Sequence, residues 1–168
     1  MKIFDNFDLT SYNSFKVKSI CKKAYFPENE NDIFYLYNNI NDFHLIGSGH
    51  NIILSQNFYK KSFVILDKNF SKINIKDNYI TAEAGASMLD LSTIALNKSL
   101  SGLEMFYDIP SSLGGAVVMN AGASGEEIKD LIVKVRFLDL KGMTIKELDN
   151  DNLDFKYRSS FFQTNTDK

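Results

Sequence analysis

Hydrophobic and polar positions in the first half of the chain follow a strand period and then a helix period. Residues 14–26 alternate loosely between apolar side chains and lysines, which predicts a half-buried strand. From Ile33 to Ile40, apolar residues at positions i, i+3, i+4 and i+7 form one face of a predicted amphipathic helix. Short apolar runs at residues 43–46 and 52–54 predict two strands, separated by the small residues 47–51.

The middle of the chain continues this mixture of helix and sheet. A further strand is predicted at residues 63–66, and weaker strands are predicted at residues 73–75 and 79–84. The apolar spacing of residues 88–97 predicts a second amphipathic helix.

Beyond residue 97 the pattern is set by small residues and by one clear strand. The segment 108–125 is crowded with glycine, serine, alanine and asparagine, a composition that usually marks close approach of the backbone to another group. Residues 126–131 predict a short helix. Residues 132–140 predict a strand that turns at residues 141–142.

Composition and charge place the chain among ordinary globular proteins. Its 168 residues, 44% hydrophobic and 24% charged, are enough to bury a core in one compact domain or two small subdomains. A net charge of −2 gives no sign of a broad nucleic-acid-binding face. Cys21 is the single cysteine, which excludes an intramolecular disulfide and favours a reducing, cytoplasmic setting. The absence of a secretory signal and of about 20 consecutive apolar residues predicts no membrane segment.

The segment Gly47–Asn51, with the sequence Gly-Ser-Gly-His-Asn, is the first candidate binding element. It follows a predicted strand, but position 52 is isoleucine and the next run resembles a strand, so it does not match the GxGxxG dinucleotide fingerprint. A Walker A motif is also absent. Consecutive backbone N–H groups in such a segment can turn toward one anion, which suits a diphosphate. An ordinary tight turn between strands is the alternative interpretation.

The segment 108–116, with the sequence Asp-Ile-Pro-Ser-Ser-Leu-Gly-Gly-Ala, is the second candidate. Pro110 and Ser111 can open a helix, and Gly114 and Gly115 leave room for a flat ligand. A helix N-terminus offers free N–H donors and partial positive charge, which suits the pyrimidine edge of a reduced flavin. Residues 120–125 add further backbone donors without bulk. The alternative is a glycine-rich helix that packs closely on a neighbour.

Two other kinds of site are not expected from the sequence. His44 and His50 are the only histidines and no HExxH motif is present, so no metal site is predicted. The serine-hydrolase motif GxSxG is also missing, because the segment Gly122–Gly125 is one residue too short for it.

Several short motifs, taken in order, match one known family. They are Asn13-Ser-Phe15, Gly47-Ser-Gly-His-Asn51, Ser101-Gly-Leu-Glu104, Ile109-Pro110, Gly114-Gly-Ala116, Asn120-Ala-Gly-Ala123, Gly125 and Tyr157-Arg158. Together they resemble the FAD-binding part of the UDP-N-acetylenolpyruvoylglucosamine reductases, the MurB family of peptidoglycan precursor synthesis. The resemblance implies an α+β, PCMH-type FAD-binding fold of two α/β subdomains, at residues 1–58 and 59–168, with the substrate domain of the family absent.

The resemblance also implies a reaction and a set of site residues. NADPH would reduce a non-covalently bound FAD, which would then reduce UDP-N-acetylglucosamine enolpyruvate to UDP-N-acetylmuramate. Arg158 would be catalytic and would hold the substrate carboxylate, with Tyr157 beside it as a substrate-binding residue. A UDP-sugar is therefore the expected partner, with no nucleic acid and no membrane. The implied FAD-binding residues are Gly47, Ser48, Gly49, His50, Asn51, Ile109, Pro110, Ser111, Ser112, Gly114, Gly115, Asn120, Gly122, Ala123, Ser124 and Gly125.

The sequence departs from the family at four positions and in length. Asp108 and Ser111 stand where glycine is usual, Ser124 where tyrosine is usual, and His50 where serine is usual. A carboxylate at position 108 would oppose the negative charge of a reduced flavin unless it points outward. Family members continue into a substrate domain that supplies a serine proton donor and a glutamate. Weak or no complete turnover is therefore expected of these 168 residues alone.

Two other functions stay open on the sequence alone. The first is a non-catalytic flavin- or nucleotide-binding module that needs a partner domain. The second is a covalent flavoprotein oxidase on the same scaffold, because Gly49-His50 resembles the glycine-histidine site at which some related oxidases attach FAD.

Overall fold

A computed structural model describes residues 1–165 of the protein, and it mixes strands and helices along the whole of that range. The strands are β1 (Lys2–Asp8), β2 (Ile20–Phe26), β3 (Phe43–Ile46), β4 (Phe58–Tyr59), β5 (Ser62–Ile65), β6 (Ile73–Lys76), β7 (Tyr79–Ala82), β8 (Gly122–Ala123), β9 (Glu126–Glu127), β10 (Lys134–Asp139) and β11 (Thr144–Asp149). The helices are α1 (Glu30–Asn39), α2 (Met88–Asn97), α3 (Leu113–Met119) and α4 (Phe161–Thr164). The predicted α+β class is confirmed.

The first sheet is mixed and has the strand order β1-β2-β5-β3. β1 pairs antiparallel with β2, whereas β2, β5 and β3 run parallel, with Leu45 opposite Val64. The short strand β4 pairs with β2 as well. Parallel strands need a crossover connection, and α1 provides it between β2 and β3. The segment 47–51 therefore leaves the carboxyl end of β3 at one edge of the sheet.

The inner strand β5 is buried on both of its faces. Its successive side chains point to opposite sides of the sheet, and both sides are covered there. Val64 packs against Leu36 of α1 on one side. Phe63 and Ile65 belong to the larger cluster on the other side. The remaining buried members of that cluster are Leu9, Cys21, Ala24, Phe26, Ile46, Leu54 and Tyr59.

A second core lies in the following part of the chain. The hairpin β6-β7 and the helices α2 and α3 surround a cluster of buried residues, namely Ala86, Met88, Leu91, Phe106, Ala116 and Ile128. The hairpin β10-β11 follows, and Arg136 on β10 forms an ion pair of 2.8 Å with Glu30 at the start of α1. This contact ties the hairpin to the first sheet's helix.

Helix boundaries agree with capping chemistry. The side chain of Asn29 accepts a hydrogen bond from the amide of Asp32 at 3.1 Å, so α1 begins one turn before the predicted apolar face. The hydroxyl of Ser87 accepts from the amide of Asp90 at 3.0 Å, and α2 occupies the predicted residues 88–97.

Three predictions of local structure are wrong, and one strand was not predicted. Residues 52–54 form no strand, and the strand predicted from residue 14 begins only at Ile20. The predicted helix at 126–131 is instead the two-residue strand β9 followed by a 3-10 turn at Ile128–Asp130. The strand β1 has no counterpart among the predictions. Six of its seven side chains are exposed, so backbone pairing with β2 holds it without an alternating apolar pattern.

The division into subdomains at 1–58 and 59–168 stays a prediction, and its last three residues lie outside the described part of the chain. β5 belongs to the first sheet although it lies after residue 58. The sheet pairing and the two separate cores favour a boundary between Ile65 and Ile73.

Two features are missing from residues 1–165. None of their helices has the length and apolar character that crossing a bilayer requires. No group of three or more His, Cys, Asp or Glu side chains in this range is arranged to hold a metal ion.

Candidate functional site

The two glycine-rich segments singled out in the sequence meet in the structure. The amide of Ser112 donates a hydrogen bond of 3.1 Å to the hydroxyl oxygen of Ser48, across 64 positions of sequence. A β-carbon built on Gly47 would lie 2.2 Å from the hydroxyl oxygen of Ser112. A side chain at position 47 would therefore force the buried hydroxyl of Ser112 to move, which favours glycine there. The segments 47–51 and 111–115 therefore form one junction between the first sheet and the second core.

The other side of the segment 47–51 is fixed by the region around Asn13. The amide of Ser14 donates to the carbonyl of Gly49 at 3.2 Å. Gly49 has a φ of +75°, and a β-carbon there would lie 1.9 Å from the carbonyl oxygen of Tyr12. Both observations require glycine at this position.

Asn13 shapes that supporting region. Its side chain is buried, its Nδ2 donates to the carbonyls of Leu9, Thr10 and Val17, and its Oδ1 accepts from the amide of Val17. Asn13 belongs to the sequence motif Asn13-Ser-Phe15, which by itself predicts no role for its side chain. The structure gives it one, since it holds the turn against which Gly49 packs.

The hydroxyl of Ser112 has an unusual environment. Ser112 occupies the N-cap position of α3, where a serine side chain normally accepts a hydrogen bond from the helix, as Ser87 does at α2. Ser112 makes no such bond. Its hydroxyl oxygen is buried and, within residues 1–165, has no hydrogen-bond partner. A buried hydroxyl without a partner costs about 1–3 kcal/mol, so a polar group at this point would be stabilising.

The predicted free N–H donors at the start of α3 are not free. The amide of Leu113 donates to the carbonyl of Ala86, and the amide of Gly114 donates to the carbonyl of Ala84, both at 2.8 Å. The amide of Ser112 is used by Ser48. A β-carbon on Gly114 would lie 2.9 Å from that of Ala84, so this glycine serves close backbone packing. The idea that these three amides await a ligand is wrong, because two backbone carbonyls and the hydroxyl of Ser48 already accept their hydrogen bonds.

His50 extends the junction outward. Its Nδ1 lies 3.0 Å from the hydroxyl oxygen of Ser48, and both His50 and Asn51 are exposed. Partial burial, helped by the positive charge of Lys16, lowers the pKa of His50 below its ordinary value. The imidazole is therefore neutral near pH 7.

Residues 109–111 connect the second core to the start of α3. Ile109 packs at the edge of the second core, Pro110 is exposed, and the carbonyl of Ser111 accepts from the amide of Met88 at 3.0 Å. The side chain of Asp108 is exposed to solvent.

The segment 120–125 begins with a buried structural residue. Asn120 ends α3 with a φ of 43°, its Nδ2 donates to the carbonyl of Lys156, and its Oδ1 accepts from the amide of Lys129. Both ends of its amide group are therefore occupied within the protein. β8 and β9 then form a hairpin whose turn, Ser124 and Gly125, has positive φ angles and is exposed.

Arg158 and Tyr157 lie beside this hairpin. Nη2 of Arg158 donates to the carbonyl of Gly122 at 2.7 Å, and the guanidinium lies 5.4 Å from the centre of the Tyr157 ring. Tyr157 is 82% exposed. The pKa of Glu127 is lowered mainly by a hydrogen bond from Lys129, and the charge of Arg158 adds to that effect. Sequence reasoning did not identify Glu127 as a neighbour of this arginine.

Comparison with known proteins identifies the family. The FAD binding domain family matches residues 24–147. The chain belongs to the FAD binding domain family. The match contains both the segment 47–51 and the segment 108–125, so the junction at Ser48 and Ser112 lies inside the region that matches that family.

Relatives narrow this assignment. The chain is 42% identical over 156 residues to the UDP-N-acetylenolpyruvoylglucosamine reductase of Francisella tularensis, a match that covers 92% of this chain and 55% of the relative. It is 37% identical over 161 residues to the reductase of the same name from Borrelia garinii, covering 93% of this chain and 52% of the relative. The predicted membership of this reductase family, as its FAD-binding part, is confirmed. The chain spans about half the length of these curated relatives.

Solved structures agree on the fold. UDP-N-acetylenolpyruvylglucosamine reductase from Thermus caldophilus superimposes with a TM-score of 0.78 at 24% identity, covering 95% of this chain and 56% of the other. A cholesterol oxidase superimposes with a TM-score of 0.60 at 14% identity, covering 88% of this chain and 33% of the other. The predicted PCMH-type FAD-binding fold is confirmed.

Proposed function

We propose that this chain binds FAD non-covalently at the junction of the segments 47–51 and 111–115. We further propose that it is the cofactor-binding part of an enzyme that uses NADPH to reduce UDP-N-acetylglucosamine enolpyruvate to UDP-N-acetylmuramate. The observation that carries the proposal is the buried, unpartnered hydroxyl of Ser112 where two glycine-rich segments meet. Membership of the FAD binding domain family and the reductase relatives support it.

The junction suits the diphosphate of FAD for chemical reasons. The hydroxyl of Ser112 lacks a partner beside Ser48, and a hydroxyl donor satisfies a phosphate oxygen well. Glycine at positions 47 and 49 lets the segment pack directly against Ser112 and Tyr12, which holds it in place. His50, Asn51 and the neighbouring backbone complete this part of the site.

The flavin end of the site is proposed to lie along the connector and the hairpin. Asp108 is exposed, which meets the requirement that its charge point away from a reduced flavin. Asn120 contributes by holding the hairpin and the Tyr157 turn in place, given its two backbone partners. The proposed contact residues here are Ile109, Pro110, Ser111, Gly115, Gly122, Ala123, Ser124 and Gly125, whereas Gly114 and Asn120 hold the surrounding structure.

Arg158 is proposed as the residue that binds the substrate carboxylate. A guanidinium presents a planar pair of donors that matches a carboxylate, and it stabilises negative charge that builds up during the reaction. The bond from Nη2 to the carbonyl of Gly122 orients the group, and Tyr157 supports it from one face. FAD, when bound, supplies the hydride chemistry.

Proton delivery is proposed to come from outside these residues. Because the chain spans about half the length of these relatives, we place the serine proton donor and the glutamate that the resemblance implies in the part of the family that these residues do not span. A C-terminal substrate domain is therefore the proposed partner. The 168 residues alone are expected to bind FAD and to turn over weakly or not at all.

The cofactor part of the proposal is tested by purification followed by acid denaturation. A yellow protein that releases FAD into the supernatant supports non-covalent binding. Flavin that stays on the chain would instead support the covalent oxidase, with His50 as the attachment site. Failure of the refolded protein to bind added FAD would contradict the proposal.

The reaction is tested with the substrate domain of the Francisella tularensis relative supplied as a fusion. Oxidation of NADPH that depends on UDP-N-acetylglucosamine enolpyruvate supports the reductase, and FAD binding without that oxidation supports a non-catalytic module. Arg158→Ala should abolish substrate reduction and leave FAD affinity within about twofold. Arg136→Ala is the matched control, because it removes the other arginine, which pairs with Glu30 at the surface. Equal loss in both variants would count against the role of Arg158.

A further inference from the structure

The histidine in the segment 47–51 is a feature for which FAD binding alone gives no reason. Nδ1 of His50 lies 3.0 Å from the hydroxyl oxygen of Ser48. That oxygen also accepts the hydrogen bond from the amide of Ser112. A serine hydroxyl has two lone pairs and one proton. With one lone pair used by Ser112, the contact with His50 must use either the remaining lone pair or the proton.

We propose that His50 and Ser48 form a proton-controlled switch that makes the protein bind FAD more tightly as the pH falls. The inference rests on the proposed function, which places the FAD diphosphate beside Ser48. When the imidazole is neutral, Nδ1 accepts the hydroxyl proton of Ser48, and the proton of the imidazole sits on Nε2. The serine then has no proton to offer a ligand.

Uptake of one proton from solvent reverses the direction of that hydrogen bond. Protonated Nδ1 donates to the hydroxyl oxygen of Ser48, so both lone pairs of this oxygen are filled, one by His50 and one by Ser112. The hydroxyl proton of Ser48 is then free to point at an anionic oxygen of the ligand. The imidazolium also adds a positive charge next to the diphosphate.

The charges around His50 set the direction of the pH effect. Lys16 is the charged side chain that changes the pKa of His50. Among residues 1–165, no carboxylate forms an ion pair with His50. Burial and Lys16 both lower the pKa of His50, so the free protein holds the neutral imidazole near pH 7. A bound diphosphate favours the protonated form. Since anion binding and proton binding favour each other, FAD affinity rises as the pH falls.

A first experiment examines the unliganded protein and needs no cofactor. Long-range ¹H–¹⁵N correlation spectra of protein labelled at histidine report which ring nitrogen carries the proton. Near pH 7.5 we expect the neutral His50 to carry it on Nε2, and Ser48→Ala to shift the population toward Nδ1–H. His44, which lies in β3 and packs on Tyr59 and Phe63, is the internal control, and its tautomer should not change in Ser48→Ala. A neutral His50 with its proton on Nδ1 would overturn the switch.

A second experiment measures FAD affinity by flavin fluorescence from about pH 8 to about pH 5.5, a range in which the diphosphate stays ionised. The wild-type protein should gain about tenfold in affinity, the change expected for one added charge-assisted hydrogen bond. His50→Asn and His50→Ser should show little change across the range. Ser48→Ala should lose most of the slope, because the controlled hydroxyl is gone.

The outcomes separate the switch from the function on which it rests. A slope in Ser48→Ala as steep as in the wild type would mean that His50 acts by simple charge attraction, which overturns the switch. If His50→Asn binds FAD with the same pH profile as the wild-type protein, the switch is also overturned, while the proposed function stands. Failure of the wild type to bind FAD at any pH contradicts the proposed function, and the tautomer experiment still decides the hydrogen bond.

Discussion

A β-carbon on Gly47 would lie 2.2 Å from the hydroxyl oxygen of Ser112, so these two residues pack directly against each other. The contact joins the end of β3 to the start of α3 and so holds the first sheet against the second core. It is therefore the natural place to test both the stability of the fold and the proposed cofactor site.

Gly47→Ala should destabilise the protein by about 1–3 kcal/mol, because the added methyl group overpacks the junction. FAD affinity should fall as well, since the segments 47–51 and 111–115 must move apart. Urea unfolding and flavin fluorescence titration measure the two effects.

Ser112→Ala should rescue the stability of Gly47→Ala. Once the hydroxyl is removed, the nearest atom to the new methyl group is the β-carbon at position 112, at 3.4 Å, which is an ordinary contact. Strictly additive effects in the double variant would show that the clash is relieved elsewhere, and the junction would then not be rigid.

Ser112→Ala on its own should have opposite effects on stability and on binding. The unliganded protein should become more stable by about 1 kcal/mol, because a buried hydroxyl without a partner is removed. FAD affinity should fall, because that hydroxyl is proposed to contact the diphosphate.

Thr10→Val is the matched control for this prediction. The hydroxyl of Thr10 is also buried but lies away from the proposed site, beside Asp8, whose pKa its hydrogen bond lowers. Its removal should leave FAD affinity unchanged. If Ser112→Ala binds FAD as tightly as Thr10→Val does, the hydroxyl of Ser112 is not a cofactor contact.

Asn120 should prove to be a structural residue with two separable roles: its backbone adopts a left-handed conformation, and its side chain pairs with two backbone groups. Asn120→Gly keeps the left-handed backbone but leaves the carbonyl of Lys156 and the amide of Lys129 without partners, which should cost about 2 kcal/mol. Asn120→Ala adds backbone strain of roughly 1 kcal/mol, since φ is positive there. Urea unfolding gives the energies. Hydrogen exchange at the amide of Lys129 should accelerate in both variants, and unchanged exchange would contradict the assignment.

Cys21 should be unreactive in the folded protein. Burial raises the pKa of its thiol to about 11, and the thiolate is the reactive form. A colorimetric thiol reagent at about pH 8 should label the native protein slowly and the protein in urea quickly. Rapid labelling without denaturant would contradict the burial of this residue.

The same thiol should make stability depend on pH in the alkaline range. The unfolded thiol ionises near its ordinary pKa of about 9, whereas the folded thiol does so near 11. Because the raised value favours the neutral form, this contribution is complete below about pH 9 and is lost as the pH rises toward 11. Cys21→Ala should lack this part of the slope, whatever its effect on stability at neutral pH.

Local patterns in the sequence determined the elements whose signals are strong and short in range. The apolar spacing of residues 88–97 defined α2, and the alternation around Arg136 defined β10 with its turn at Gly142. The ordered short motifs identified the FAD-binding part of a reductase family, and several of them place glycine where a β-carbon would clash, as at Gly47, Gly49 and Gly122. These features depend on residues close together in the chain, and a sequence displays them directly.

Only the tertiary structure decided how those segments are used. It showed that the amides at the start of α3 are taken by Ala84, Ala86 and Ser48, and that Ser112 is left with a buried hydroxyl lacking a partner. It also turned Asn120 from a predicted cofactor contact into a residue held by two backbone partners. Which donors and acceptors pair depends on groups brought together from distant parts of the chain. A local sequence pattern cannot predict this pairing, because all backbone amides are chemically alike and their partners lie far away in the sequence.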